Sequence, residues 1–342
     1  MVRGYRYNVG ISPLKGFLLP HNDEVKHLTY GRPSGLELNV NVQSDGSEAW
    51  HYRYNLPEYG ISLTYFDTDM VETGELLSGM VYMKIPFFTG KTGSMMLQVG
   101  TGLTWASKVY DRETNNLNNV LSSRFTYNMQ GRIGYQFNLG DRLLIYPAVT
   151  LTHASNGSLK LPNAGINIVS GNVGLAYKLV TMDPHSHPVD EPTLERKWKW
   201  NLLFSGAAKE IYPAGGPKYG YWTVRSYFDR TLSRFSRFIV GGELVMNRAL
   251  RADIARRVTD EDQPDYKRGS LLIGHELLVS RVSVMTQLGY YLYRPYDGDF
   301  DPDFYQRYGI KYYFSEKVFA TGMLKVFIGR ADTFDFGIGI RL

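Results

Sequence analysis

Apolar residues recur at every second position along much of this chain, and that period constrains the fold more than any other feature. At the C-terminus Phe334, Phe336, Ile338, Ile340 and Leu342 alternate with Asp335, Gly337, Gly339 and Arg341. Before them Val318, Ala320, Leu324, Val326 and Ile328 alternate with a mixed face that carries Thr321, Met323 and Lys325. Val282, Val284, Leu288, Tyr290 and Leu292 face away from Arg281, Ser283, Gln287 and Tyr291, and Trp198, Trp200, Leu202 and Phe204 from Lys197, Lys199, Asn201 and Ser205. Period two belongs to the β-strand, whose successive side chains leave opposite faces. Each run is ~10 residues long, which is what a tilted strand needs to cross a bilayer. Soluble strands average only ~5–6 residues.

Composition agrees once the two faces are separated. A mean hydropathy of −0.27 and 21% charged residues describe neither face. They average an apolar, aromatic face with a polar one and its loops. No stretch approaches the ~18 consecutive apolar residues of a membrane-spanning helix, and 43% hydrophobic residues exceed what a disordered chain carries. Aromatic residues, 14% of the chain, gather at strand ends such as 290–293 and 312–314, as in the girdles at a membrane interface. The absence of Cys excludes disulfide frameworks, thiolate zinc sites and cysteine nucleophiles, and it suits export through an oxidising periplasm. A net charge of +5 favours an anionic partner. No apolar segment follows Met1-Val2-Arg3-Gly4, so an exported chain with this start is a trimmed one.

The connections are of two kinds. Some are tight, as at Gly140-Asp141 and Ser315-Glu316-Lys317; others are long and polar, as at 111–120, 157–167, 249–268 and 295–303. The sequence therefore predicts an all-β fold: a transmembrane antiparallel β-barrel of about 14–16 strands, with long extracellular loops and short periplasmic turns, in a bacterial outer membrane. Strands are expected from 36–43 and 48–54 onward to 332–342. A further strand near 5–16 would break the even parity such barrels keep. One barrel spanning 1–342 is the favoured organisation, with 183–196 as a Pro-rich turn or linker between 1–182 and 197–342. Two eight-stranded barrels are the alternative. Pro147 lies mid-strand and removes a ladder donor, so a bulge is expected there. The inward charges Lys199, Arg225, Glu243, Arg307 and Lys311 fit either a wet lumen or a paired interior.

One stretch carries chemistry: His153-Ala154-Ser155-Asn156, then Lys160-Leu161-Pro162-Asn163-Ala164-Gly165-Ile166-Asn167. Leu143, Ile145, Val149 and Leu151 form the apolar face of the strand before it, with Tyr146, Thr150 and Thr152 opposite. Period two carries His153 and Ser155 onto the apolar, lipid-facing side. Asn167 has the parity of Val169, Val173, Leu175, Tyr177 and Leu179 on the next strand. Polar groups facing lipid are costly and call for a reason. His153 and Ser155 at i, i+2 have Cβ atoms roughly 6–7 Å apart, within reach for an imidazole to take the proton of a serine nucleophile. Asn156 and the Gly157 backbone are candidate oxyanion donors.

The run His153-x-Ser155-Asn156 followed by Pro162-Asn163-x-Gly165 resembles the signature of the PagL-like lipid A 3-O-deacylases (acyloxyacyl hydrolase family). These are outer-membrane barrels that hydrolyse an ester-linked acyl chain of lipid A. The resemblance covers roughly 35–180 and is tight over 153–167. It implies His153 as general base, Ser155 as nucleophile, and Asn156 or Asn163 with nearby amides at the oxyanion. It also implies Lys160 as a basic residue toward a lipid A phosphate. The family's orienting Glu is replaced here by Asn167, which can fix a tautomer but adds no charge. The implied function is a lipid A esterase with lipopolysaccharide as its partner, without cofactor, metal or nucleic acid. The replaced acid and the extra half motivate a second reading, a scaffold barrel that docks other outer-membrane proteins. A polar lumen would allow a third, a porin-like channel. Asp297, Asp299, Asp301 and Asp303 read as a solvated acidic loop rather than a cation site. The pairs His21 and His27, and His185 and His187, read as solvated turns.

Overall fold

The computed structural model describes residues 4–182, 193–259, 263–297, 302–328 and 330–342. Asp299 and Asp301, with His185 and His187, lie outside them. Among the described residues sixteen strands form, and they close as two antiparallel eight-stranded barrels rather than the single barrel the sequence favours. The first contains β1 (Gly4–Leu18), β2 (Ser34–Gln43), β3 (Glu58–Asp67), β4 (Glu75–Thr89), β5 (Gly93–Ala106), β6 (Phe125–Leu139), β7 (Leu143–Ser155) and β8 (Ile166–Met182). The second contains β9 (Trp198–Glu210), β10 (Lys218–Thr231), β11 (Ser236–Asn247), β12 (Lys267–Val279), β13 (Val282–Tyr293), β14 (Phe304–Tyr313), β15 (Val318–Phe327) and β16 (Arg330–Arg341).

Closure explains the count. β1, the strand near 5–16 expected to break the even parity, pairs with both β2 and β8. The expected strand near 48–54 is instead a short helix, α1 (Ala49–Arg53). Glu48 and His51 form a reciprocal capping box at its start, which satisfies backbone donors locally and removes the need for a ladder. The two departures cancel, and the total stays even. At Pro147 no bulge forms. Pro147 pairs with Val173 in unbroken register on β8, and the ladder to β6 lapses between Ala148/Gly134 and Ile145/Phe137. The missing N–H is accommodated by an unmade bond rather than by an extra residue. The loop 249–268 is partly helical: α2 (Arg248–Arg257) begins at Asn247, whose side chain accepts hydrogen bonds from the amides of Ala249 and Leu250.

An eight-stranded barrel leaves an interior only wide enough for side chains, and both interiors here are filled. In the first barrel the Glu37 carboxylate accepts a fork of two hydrogen bonds from Arg132, at 2.7 and 2.6 Å. Thr64 donates to Glu37 at 3.2 Å and Arg132 to Thr150 at 2.8 Å. In the second barrel Asp335 accepts from Arg225 and Arg307, and Glu243 accepts from Arg307 at 3.0 Å and from Tyr305 at 2.6 Å. Lys311 lies 3.6 Å from Glu276 and sits 4.0 Å from the Phe319 ring centroid. Lys199 is part-exposed and lies 3.6 Å from the exposed Glu195, whereas Arg225, Glu243, Arg307 and Lys311 belong to a paired interior, not to the wall of a wet lumen. Unpaired, such groups could not remain ionised away from water.

The compact unit that holds the second barrel also includes the short segment Gly157–Leu161. There the Leu161 amide donates to Glu210 at 2.9 Å, and the Glu210 amide donates to the Ser158 carbonyl at 3.1 Å. Gly157 takes a φ of +60°, and a Cβ on it would come within 2.7 Å of Phe334 Cβ.

In the first barrel, the end that carries the long loops is closed by an apolar plug. Leu14, Leu18, Phe66, Leu76, Ala154 and Ile168 face inward and pack with Val25, Leu28, Val120 and Leu121 from the loops. Val25 and Leu28 belong to a 3-10 helix, Asp23–Leu28, in the β1–β2 loop.

Arg132→Ala is expected to lower the unfolding free energy by about 3–5 kcal/mol, because it strands a buried Glu37 charge. The double variant Glu37→Leu/Arg132→Met should recover most of that loss, read as urea midpoints in detergent micelles. In planar bilayers the chain should show no steady open-channel conductance.

Candidate functional site

The site is built where β7 and β8 leave the barrel wall. On β7 the side chains of Thr150 and Thr152 are buried, while Val149 and Leu151 are exposed on the outer wall. His153 and Ser155 share the outward parity. On β8 Val173, Leu175, Tyr177 and Leu179 are exposed outward, and Asn167 has their parity. Antiparallel register then sets His153 directly opposite Asn167. The outward parity expected from period two is the parity that His153, Ser155 and Asn167 take. On the other side β6 places Tyr127 opposite Ser155 and Met129 opposite His153. Phe125, Met129 and Leu151 surround the pair with exposed apolar surface.

Within this setting three side chains form a chain of contacts. Nε2 of His153 lies 3.1 Å from Oγ of Ser155, and Nδ1 of His153 lies 2.6 Å from Oδ1 of Asn167. The amide oxygen can only accept, so the His153 proton sits on Nδ1 and Nε2 keeps its lone pair toward the hydroxyl. That is the tautomer a general base needs. Ser155 is only 7% exposed despite its outward parity. The covering comes from the β7–β8 loop. Gly165 has a φ of +81°, and a Cβ there would sit 2.8 Å from His153 Cε1 and 3.2 Å from Ser155 Cβ. A glycine is required at this position both for its backbone conformation and for its closeness to the pair.

The loop is pinned by amides. Asn163 Oδ1 accepts from the Asn156 backbone N–H at 3.0 Å. The Asn156 side chain donates to the hydroxyls of Ser122 and Ser123 at 3.0 and 2.9 Å. The amides of Ala164 and Gly165 donate to the carbonyls of Asn119 and Val120, both at 3.0 Å. Nδ2 of Asn163 is buried without a hydrogen-bond partner, an uncommon state for a buried donor. Ser155, His153, Asn167, Asn156 and Asn163 therefore come together in the first barrel. Gly157 and Lys160, also anticipated from sequence, fall in 157–161 of the other compact unit. Among the described residues no group of three or more His, Asp or Glu is placed to hold a metal ion.

Two kinds of residue around the site carry no signal of it in the sequence. Ser122 and Ser123, which hold Asn156, lie in a loop with no motif of their own. The sequence places His21 in a solvated turn, yet its Nδ1 lies 2.9 Å from Nδ2 of Asn167. His27, placed in the same way, has its Nε2 2.8 Å from the Leu117 carbonyl. No period or spacing connects positions so far apart in the chain; only closure of β1 against β8 brings the 19–28 segment to the site.

Comparison with known proteins gives matches to two family models. Residues 34–176 match the family described as lipid A 3-O-deacylase (PagL), and residues 198–342 match the one described as acyloxyacyl hydrolase, C-terminal domain. No curated protein matches. Among solved structures, Neisserial surface protein A is 11% identical, over 51% of this chain and 97% of that one, with a TM-score of 0.34. The outer-membrane enzyme PagL is 20% identical, over 48% of this chain and 97% of that one, with a TM-score of 0.32. Omp33 of Acinetobacter baumannii is 8% identical, over 100% of this chain and 99% of that one, with a TM-score of 0.18. With one family model on each barrel, the chain belongs to the PagL family of outer-membrane lipid A 3-O-deacylases.

Proposed function

We propose that the protein is an outer-membrane esterase that removes an ester-linked acyl chain from lipid A, with Ser155 as nucleophile and His153 as general base. The observation that carries this reading is the Ser155–His153–Asn167 chain on the outward face of β7 and β8. A substrate anchored in the outer leaflet reaches such a face sideways, with its acyl chains still in lipid. The apolar surface of Phe125, Met129 and Leu151 suits that approach, and the net charge of +5 suits an anionic glycolipid.

The steps follow from the groups present. His153 Nε2 takes the Ser155 proton as Oγ attacks the acyl carbonyl, and a tetrahedral oxyanion forms. The buried, unpartnered Nδ2 of Asn163 is the donor proposed for that oxyanion. The Asn156 amide is less suited, because Asn163 Oδ1 already accepts its N–H. Collapse expels the sugar hydroxyl, which leaves with the proton from Nε2. Water then attacks the acyl-enzyme, again with its proton going to Nε2, and the fatty acid departs as Ser155 recovers its proton. Asn167 holds the imidazole in the required tautomer throughout. It gives the imidazolium no countercharge, so the reaction is expected to be slower than with a carboxylate there; in a serine protease the acid-to-amide change lowered kcat by ~10⁴, largely through the wrong tautomer.

Mass spectrometry of lipid A tests the reading. Cells that express the wild type should lose one acyl mass from lipid A, and Ser155→Ala or His153→Ala should return the profile to that of an empty vector. If the wild-type and empty-vector profiles match, the reading fails. Gly165→Ala, which pushes against both His153 and Ser155, should lower kcat by about 10²-fold. It should leave the heat-modifiable migration of the folded barrel in SDS gels unchanged.

A further inference from the structure

We infer that His21 is a positioning residue for Asn167, selecting which end of that amide faces His153; the inference rests on the esterase reading above. An amide oxygen and an amide nitrogen have nearly the same shape and opposite hydrogen-bonding character. With a carboxylate beside His153 this difficulty does not arise, because both oxygens accept. With an asparagine it decides the chemistry. If Oδ1 faces His153, the imidazole carries its proton on Nδ1 and presents a lone pair to Ser155. If the amide is turned over, Nδ2 faces His153, the proton moves to Nε2, and the imidazole can no longer take a proton from Ser155.

Something must therefore distinguish the two ends of Asn167, and the structure places His21 there. Its Nδ1 lies 2.9 Å from Nδ2 of Asn167. A neutral imidazole with its proton on Nε2 offers a lone pair at Nδ1, and that lone pair accepts the Asn167 N–H. Hydrogen bonding then runs in one direction along the whole chain: Ser155 to His153, His153 to Asn167, Asn167 to His21.

The position of His21 is itself fixed. Two residues before it, the Leu19 amide donates to the backbone carbonyl of Asn167 at 3.0 Å. Just after it, the 3-10 helix is anchored through Val25 and Leu28 in the apolar plug. Asn119 donates to the Glu24 carbonyl at 2.6 Å, and the His27 ring contacts the Leu117 carbonyl. The β1–β2 loop is thus tied to β8 on one side and to the 107–124 loop on the other, with the His21 ring held at the amide.

The test is a double-mutant cycle with a second, spectroscopic readout on the full chain in detergent micelles. His21→Ala should lower kcat for a lipid A ester by roughly tenfold, about the worth of one oriented hydrogen bond, with KM little changed. His21→Asn, whose Oδ1 sits where Nδ1 was, should keep most of the activity. In an Asn167→Asp background, where either oxygen can accept, His21→Ala should add less than a twofold further loss. If His21→Ala costs the same in both backgrounds, His21 merely holds its loop and the inference is overturned. It is equally overturned if His21→Ala matches the wild type while Ser155→Ala is inactive. Side-chain ¹⁵N spectra of the histidines separate this from failure of the esterase reading. The wild type should show His153 protonated at Nδ1 and His21 at Nε2, and His21→Ala should leave His153 as a mixture of tautomers. Those spectra decide the point even if Ser155→Ala retains full activity. An unchanged His153 signal in His21→Ala rejects the inference.

Discussion

Inside a bilayer no water is present to satisfy a peptide N–H or C=O, so each must find its partner within the chain. The rest of this structure depends on that constraint. It requires closed ladders, and the chain supplies them twice, with β1 paired to β8 and β9 to β16. Closing at eight strands has a further consequence. The lumen becomes too narrow for a water column and must be filled by side chains. The inward face of the strands is polar, so filling it means pairing charges: Glu37 with Arg132 in one barrel, Glu243 and Asp335 with Arg225 and Arg307 in the other. An interior used in this way has no room for a substrate. The proposed chemistry therefore falls to the outer wall and the loops.

At the loop end of the first barrel the usual arrangement of faces is inverted. Over most of its length the wall is polar inside and apolar outside. Where β7 and β8 leave the wall, Ala154, Ile166 and Ile168 face inward into an apolar plug, and His153, Ser155 and Asn167 face outward. The plug seals the interior without needing hydrogen bonds, and it gives the loops something to fold against. The outward polar groups satisfy one another in sequence and are covered by the loop at Gly165. A polar chain thus survives on the outward face because its members use up each other's hydrogen-bonding capacity.

How much of this was legible in the sequence depended on range. Period two marks strand and face residue by residue, and the outward parity of His153, Ser155 and Asn167 was readable from their neighbours alone. Pairing is not encoded that way. Nothing in the alternation of β8 says whether it continues to β9 or returns to β1, so one barrel of sixteen and two barrels of eight have the same pattern. β1 itself was hard to see because Gly10, Pro13 and Gly16 interrupt its run. Residues 48–54 read as extended because Trp50, Tyr52 and Tyr54 alternate, while the competing signal is only the capping pair Glu48 and His51 of a five-residue helix. His21 was illegible for the same reason as closure: 146 residues separate it from Asn167.

On the proposed mechanism, an amide instead of a carboxylate at position 167 exchanges one problem for another. A carboxylate stabilises a developing imidazolium, but on a lipid-facing wall it must stay ionised with little water around it, which is costly unless it is paired. An amide avoids that cost and loses the charge stabilisation. It also acquires a direction, because its two ends differ. A second polar group is then needed to fix that direction, and it has to reach the far side of the amide from a loop, since β7 already occupies the near side. The β1–β2 loop is the segment that closure of the first barrel brings there. A neutral acceptor is the chemistry that the amide N–H requires, and an imidazole with a free Nδ1 provides it.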